Sequence, residues 1–93
     1  MPRYLVIHHP LYPQSETLDP FIDAARNLMA SLDPQVHWLN SWWAASRELL
    51  FCEWEAPSEG ILRSTLQSVC NLWQIDELYE VLWTDPRWYL EKD

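Results

Sequence analysis

The sequence predicts a single α+β domain of order βαββαβ, a four-stranded antiparallel sheet with two helices on one face. The stretch Val36 to Pro57, VHWLNSWWAASRELLFCEWEAP, holds two aromatic-rich apolar runs around a short polar break, the pattern of a β-hairpin. Segments on either side repeat apolar residues every three or four positions, as amphipathic helices do. Short apolar runs open the chain and follow the second helical segment. With right-handed crossovers this order gives the ferredoxin-like fold, its first and third strands in the middle of the sheet.

Tyr4 to His9 is the expected first strand, almost wholly apolar or aromatic, which suits a central strand covered on both faces. Pro10 and Pro13 end it, because proline cannot donate to a ladder, and Pro10 to Glu16 is a loop. Thr17 to Leu32 is the first helix. Leu18, Phe21, Ile22, Ala25, Leu28, Met29 and Leu32 form its stripe. Thr17 can cap it, Pro20 fits the first turn, and Asp33-Pro34 stops it.

Val36 to Trp43 and Glu48 to Trp54 are the hairpin strands. The break at Ala44 to Arg47 lacks Gly and Pro, so the loop is longer than two residues. Strict alternation puts Val36, Trp38, Asn40, Trp42, Leu50, Cys52 and Trp54 on one face. His37, Leu39, Ser41, Trp43, Leu49, Phe51, Glu53 and Glu55 fall on the other. Neither face reads as solvated, and one helical layer covers only one. The other needs a second layer, most simply another copy of the chain. Ala56-Pro57-Ser58 opens the second helix with Ser58 as N-cap; Ile61, Leu62, Thr65, Leu66 and Val69 face inward, ending near Cys70. A linker through Trp73 and Ile75 leads to a last strand, Leu78 to Thr84, and Asp85-Pro86 ends it. In the tail, Arg87 to Asp93, we expect Trp88, Tyr89 and Leu90 to dock.

The chain of 93 residues shows no repeat or linker, so residues 1–93 form one domain. A net charge of −8, with six scattered basic residues, argues against nucleic acid. No stretch approaches the roughly 20 apolar residues of a membrane span, and the start lacks a signal-peptide pattern. Two cysteines are too few for a disulfide scaffold. We expect a soluble cytoplasmic protein with free thiols. Seven tryptophans exceed what so small a core easily hides, so some belong at an interface or a ligand cavity.

The opening MPRYLVIH, the aromatic hairpin and the segment FCEWEAPS from Phe51 to Ser58 together resemble a group of small bacterial proteins of unknown function. Some of these are described as nickel-binding. The resemblance spans nearly the whole chain. It implies the ferredoxin-like fold and a dimer with facing sheets. It also implies a metal-ligand position at His8, with Cys52 retained. Here Asn40 stands at a hairpin position that is often histidine, and the second helix has Leu66 and Cys70 but no histidine.

Candidate chemistry is spread thinly. His8, Cys52 and Cys70 are candidate ligands for nickel or another transition metal, if the fold brings them together. Adjacent strand residues point apart, so His8 and His9 cannot easily share one ion; the plainer account is a polar strand end. The cysteines lack a cation or helix N-terminus that would make a nucleophile and read more simply as small core residues. Glu53 sits awkwardly mid-strand and calls for a partner such as His37, Arg47 or His9. Trp38, Asn40, Trp42 and Trp54 make a candidate ligand-binding set; the plainer account, compatible with it, is a homodimer interface through the sheet face. The favoured function is a small binding protein taking a metal or small ligand near the sheet. One alternative is a dimeric α+β-barrel enzyme of monooxygenase or isomerase type, with His8, Asn40 or Glu53 polarising substrate. The other is a ligand-free interaction module. No Gly-rich phosphate loop, HxxxH spacing or Ser/His/Asp set is present.

Overall fold

A computed structural model of the chain describes residues 1–11 and 19–90. Its strands are β1 (Arg3–Pro10), β2 (His37–Ala44), β3 (Leu49–Glu55) and β4 (Trp73–Val81), with helices α1 (Asp19–Ala30) and α2 (Glu59–Leu66). The strands pair antiparallel in the order β2-β3-β1-β4, so β1 and β3 are central. This is the ferredoxin-like arrangement. Thr17, Leu18 and the Pro13 break lie outside the described residues.

One hydrophobic cluster joins both helices to one face of the sheet. Phe21 and Leu28 of α1 and Leu62 and Leu66 of α2 meet Tyr4, Val6, Cys52 and Trp54 of the central strands. In β1 the buried positions alternate with half-buried ones, because odd residues turn to the face opposite the helices. Leu5, Ile7 and Phe51 are half-buried there, and none of the described helices covers them. Ser58 caps α2 by accepting from the Ile61 N–H at 3.2 Å. The hairpin loop runs Ala45 to Glu48, and Glu48 has a positive φ of 51°, a left-handed turn with no glycine to supply it.

Several sequence expectations need correction. β4 begins at Trp73, five residues before Leu78, because Pro10 and Trp73 extend its pairing with β1. Ile22, Met29 and Ile61, expected inside, are exposed. The tail forms a short 3₁₀ turn at Pro86–Tyr89, capped by Asp85 and clamped by Arg87. Trp88 packs edge-on against Trp83, centroids 5.1 Å apart, but Tyr89 and Leu90 remain exposed and do not dock.

The main correction concerns β2. Trp38 pairs with Trp54, but the next partner of Glu53 is Asn40, which leaves Leu39 as an extra residue. This bulge on an edge strand reverses the facing of everything after it. Trp38 stays under the helices, stacked on Trp54 with centroids 5.2 Å apart and planes 11° from parallel. Ser41 and Trp43 then join that side, and Asn40 and Trp42 turn to the open face. β4 carries a matching irregularity opposite Ile7 and His8, where Asp76 is the extra residue.

Leu62 has no exposed surface, and truncating such a leucine leaves a cavity. Leu62→Ala is expected to lower the unfolding free energy by about 3 kcal/mol. Ile61→Ala, one position away on the exposed side, is expected to lower it by about 0.5 kcal/mol. Urea denaturation of both variants measures the contrast, and equal losses would misplace the inner stripe of α2.

Candidate functional site

Two polar features mark the two faces of the sheet. The first lies between sheet and helices. His8 comes from β1, and Cys52 stands on β3 diagonally from it, since Val6 opposes Cys52 and His8 opposes Leu50. Together with Trp38, Trp54, Leu66 and Trp73 they line a cavity of about 30 Å³. That is room for one or two waters. His8 is 3% exposed, and its Nδ1 has no hydrogen-bond partner, nor does the Trp54 indole N–H. Trp73 meets the His8 ring edge-on at 6.4 Å. Burial in this apolar setting lowers the His8 pKa to about 4, only partly opposed by Asp76, so the imidazole is neutral near pH 7.

Cys52 belongs to a short polar chain in the same layer. The Trp38 indole N–H donates to Ser41 Oγ at 2.8 Å, and Ser41 Oγ lies 3.3 Å from Cys52 Sγ. Burial raises the Cys52 thiol to about 11, against the opposing pull of Ser41 and Trp38. A thiol so held is not a nucleophile near neutrality. Cys70 lies apart, at the end of a 3₁₀ turn (Gln67–Val69), exposed, its Sγ 3.1 Å from the Gln67 carbonyl oxygen. It is not the core residue that the sequence suggested. Among the described residues no three His, Cys, Asp or Glu side chains gather into a metal-binding group. His8 and Cys52 are brought together; Cys70 is not. Two donors in so small an apolar cavity do not fit nickel, which takes more ligands and harder ones.

The second feature lies on the open face. Glu53 of β3 is only 9% exposed, yet its partners are none of those expected. Asn40 Nδ2 donates to Oε1 at 2.8 Å, and Arg3 Nη1 donates to Oε2 at 3.3 Å. The bulge at Leu39 delivers Asn40, and the β1–β3 register delivers Arg3. The Arg3 guanidinium also stands over the Trp83 ring, 5.5 Å from its centroid. Leu5, Asn40, Trp42, Glu53, Val81 and Trp83 line a groove here of about 350 Å³. This lies within the range of small-molecule sites. Trp83, which lines the groove, and Arg3, which flanks it, are absent from the sequence reading. The alternation Arg3, Leu5, Ile7 places Arg3 on the face of Glu53, and Tyr79, Val81 and Trp83 alternate likewise in the expected last strand, although β4 ends at Val81 and not at Thr84.

The proposed set Trp38, Asn40, Trp42 and Trp54 is therefore split. Trp38 and Trp54 stack beneath the helices, while Asn40 and Trp42 line the open groove. His8 likewise lies on the far side of the sheet from Asn40 and Glu53, so these three cannot act on one substrate. On the opposite edge, His9 Nδ1 and Asp76 Oδ1 are 2.7 Å apart.

His8 makes stability depend on pH. The unfolded chain takes up its proton near pH 6.5, the folded chain only near pH 4. Between these values the unfolded state holds more protons, so stability falls as pH falls through this window, by about 3 kcal/mol in all. His8→Leu is expected to remove that part of the slope between pH 6.5 and 5. Denaturation curves of both proteins across this range measure it, and identical slopes would show that His8 titrates normally.

No family model and no curated protein matches the sequence. The chain is similar in structure to SCO4226 from Streptomyces coelicolor A3(2), known from a crystal structure, with a TM-score of 0.65 at 20% identity. The match covers 89% of this chain and 99% of that one. It shows a shared fold.

Proposed function

We propose that this is a small ligand-binding protein that pairs with a second copy through the open face of its sheet, enclosing the Glu53 groove between subunits. The observation that carries the reading is the character of that face. Leu5, Ile7, Phe51 and Val81 are half-buried there, with Trp42 and Tyr79 more exposed. Strands of seven to nine residues set side by side span about 26 by 19 Å, a footprint of roughly 500 Å² before side-chain relief. With the aromatic rim that approaches the roughly 800 Å² per partner of a stable interface. The two unbridged cysteines, one of them exposed, suit a reducing compartment, so the cytoplasm is the proposed location. None of the described helices is long and apolar enough to cross a membrane.

One observation favours a second reading. The unpartnered His8 Nδ1 and the Cys52 thiol share one cavity, which suits a soft, two-coordinate metal ion. A thiolate, a neutral imidazole and a monovalent cation sum to zero charge, the combination least opposed by burial. In native mass spectrometry this reading expects one cuprous ion per chain, lost in His8→Ala. A chain that ignores added copper, zinc and nickel would remove it.

The dimer is tested by sedimentation velocity. The wild type is expected to run at twice the chain mass. Tyr79→Glu, a half-exposed site on the open face opposite Leu5, is expected to weaken association at least tenfold by burying an unpaired charge. A wild type that stays monomeric at high concentration would overturn the pairing.

A further inference from the structure

We propose that the open-face groove binds a small organic cation, an alkylated ammonium, held by the Trp42 and Trp83 indoles and the Glu53 carboxylate. This rests on the ligand-binding reading above and names the ligand class for that site. The groove lining supplies two indoles, the Asn40 amide, the Thr84 hydroxyl and one carboxylate, against Leu5, Val81 and Leu82. No positively charged side chain is among its described lining residues, but Arg3 flanks it, against Glu53 and Trp83. Indole faces attract cations, and a carboxylate beside them adds a full countercharge. The chain's net charge of −8 draws cations toward it from solution.

The protein's own Arg3 already uses part of this chemistry. Its guanidinium stands between the Trp83 ring and Glu53 Oε2. That contact is long, 3.3 Å against the 2.7–2.9 Å of a strong charge-assisted bond, and the Arg3 side chain is one-third exposed. Oε2 is loosely held, and Arg3 is an internal cation that an incoming one would compete with. The apolar walls decide which cation fits. A bare ammonium is strongly hydrated and loses that shell on entry, whereas methyl or alkyl groups on nitrogen spread the charge and bury favourably against indole.

The probe is choline, set against its uncharged isostere 3,3-dimethylbutan-1-ol, by isothermal titration calorimetry on the full chain near neutral pH. Choline is expected to bind about tenfold more tightly than the isostere. Glu53→Gln is expected to erase most of that preference. Trp83→Leu, at a half-exposed position that leaves the core intact, is expected to weaken choline by about tenfold. Arg3→Gln is expected to strengthen choline several-fold, because it removes the internal competitor; a merely apolar groove would not respond so. Equal binding of choline and isostere, no binding of either, or weaker choline binding in Arg3→Gln would each overturn the proposal. Sedimentation of the same samples separates the two readings. A dimer that ignores choline defeats the cation site alone, and a monomer that binds choline defeats the pairing alone.

Discussion

The governing constraint is that this sheet carries apolar side chains on both faces, and the described helices cover only one. Trp54, Val6 and Cys52 are sealed by Phe21, Leu28, Leu62 and Leu66, which complete one core. In a chain this short the buried fraction of the surface is modest, so the fold leans on that one core. The opposite face offers Leu5, Ile7 and Phe51 to whatever lies over it. At about 25 cal/mol per Å², covering such a face would be appreciably stabilising. Polar groups on that face then stand out, because each must be satisfied without the help of a helix layer.

The bulge at Leu39 satisfies them. Without it Asn40 would point at the helices, and Glu53 would lose its shortest hydrogen bond on a half-covered surface. A buried carboxylate missing its partner is destabilising by several kcal/mol. The same extra residue brings Ser41 round to Cys52 and leaves Trp38 stacked on Trp54. One inserted residue in an edge strand thus sets the polar partners on both sides of β3.

How much of this was legible in the sequence follows from which signals are local. The element order, the Ser58 cap and the central positions of β1 and β3 come from periodicity and turn chemistry, which neighbouring residues dictate. The bulge is not local in that sense. Leu39 is apolar in an apolar run, and only the pairing with Glu53 shows it to be extra. The expected facing of Asn40, Ser41, Trp42 and Trp43 is therefore inverted, while that of Cys52, Glu53 and Trp54 on β3 holds, and the candidate set of four aromatic and amide residues splits into two pairs. Trp73 falls in the expected linker, yet it pairs with Pro10, which itself reads as a strand stop. Proline on one rung does not prevent that rung from forming at the end of the ladder.

His8 and Glu53 show how surroundings sort two titratable groups on neighbouring strands. His8 is enclosed in a cavity of about 30 Å³ and is held neutral by burial, so it costs the fold little near pH 7. Glu53 lies on a groove of about 350 Å³, and its oxygens accept from an amide and a guanidinium. A surface that served pairing alone would be better filled by leucine or methionine, since a buried ion pair often stabilises less than its apolar replacement. The Arg3–Glu53–Asn40 set makes sense where charge has something to recognise. On the proposed reading the ligand lies on the open face, and the enclosed histidine serves structure or a single small ion.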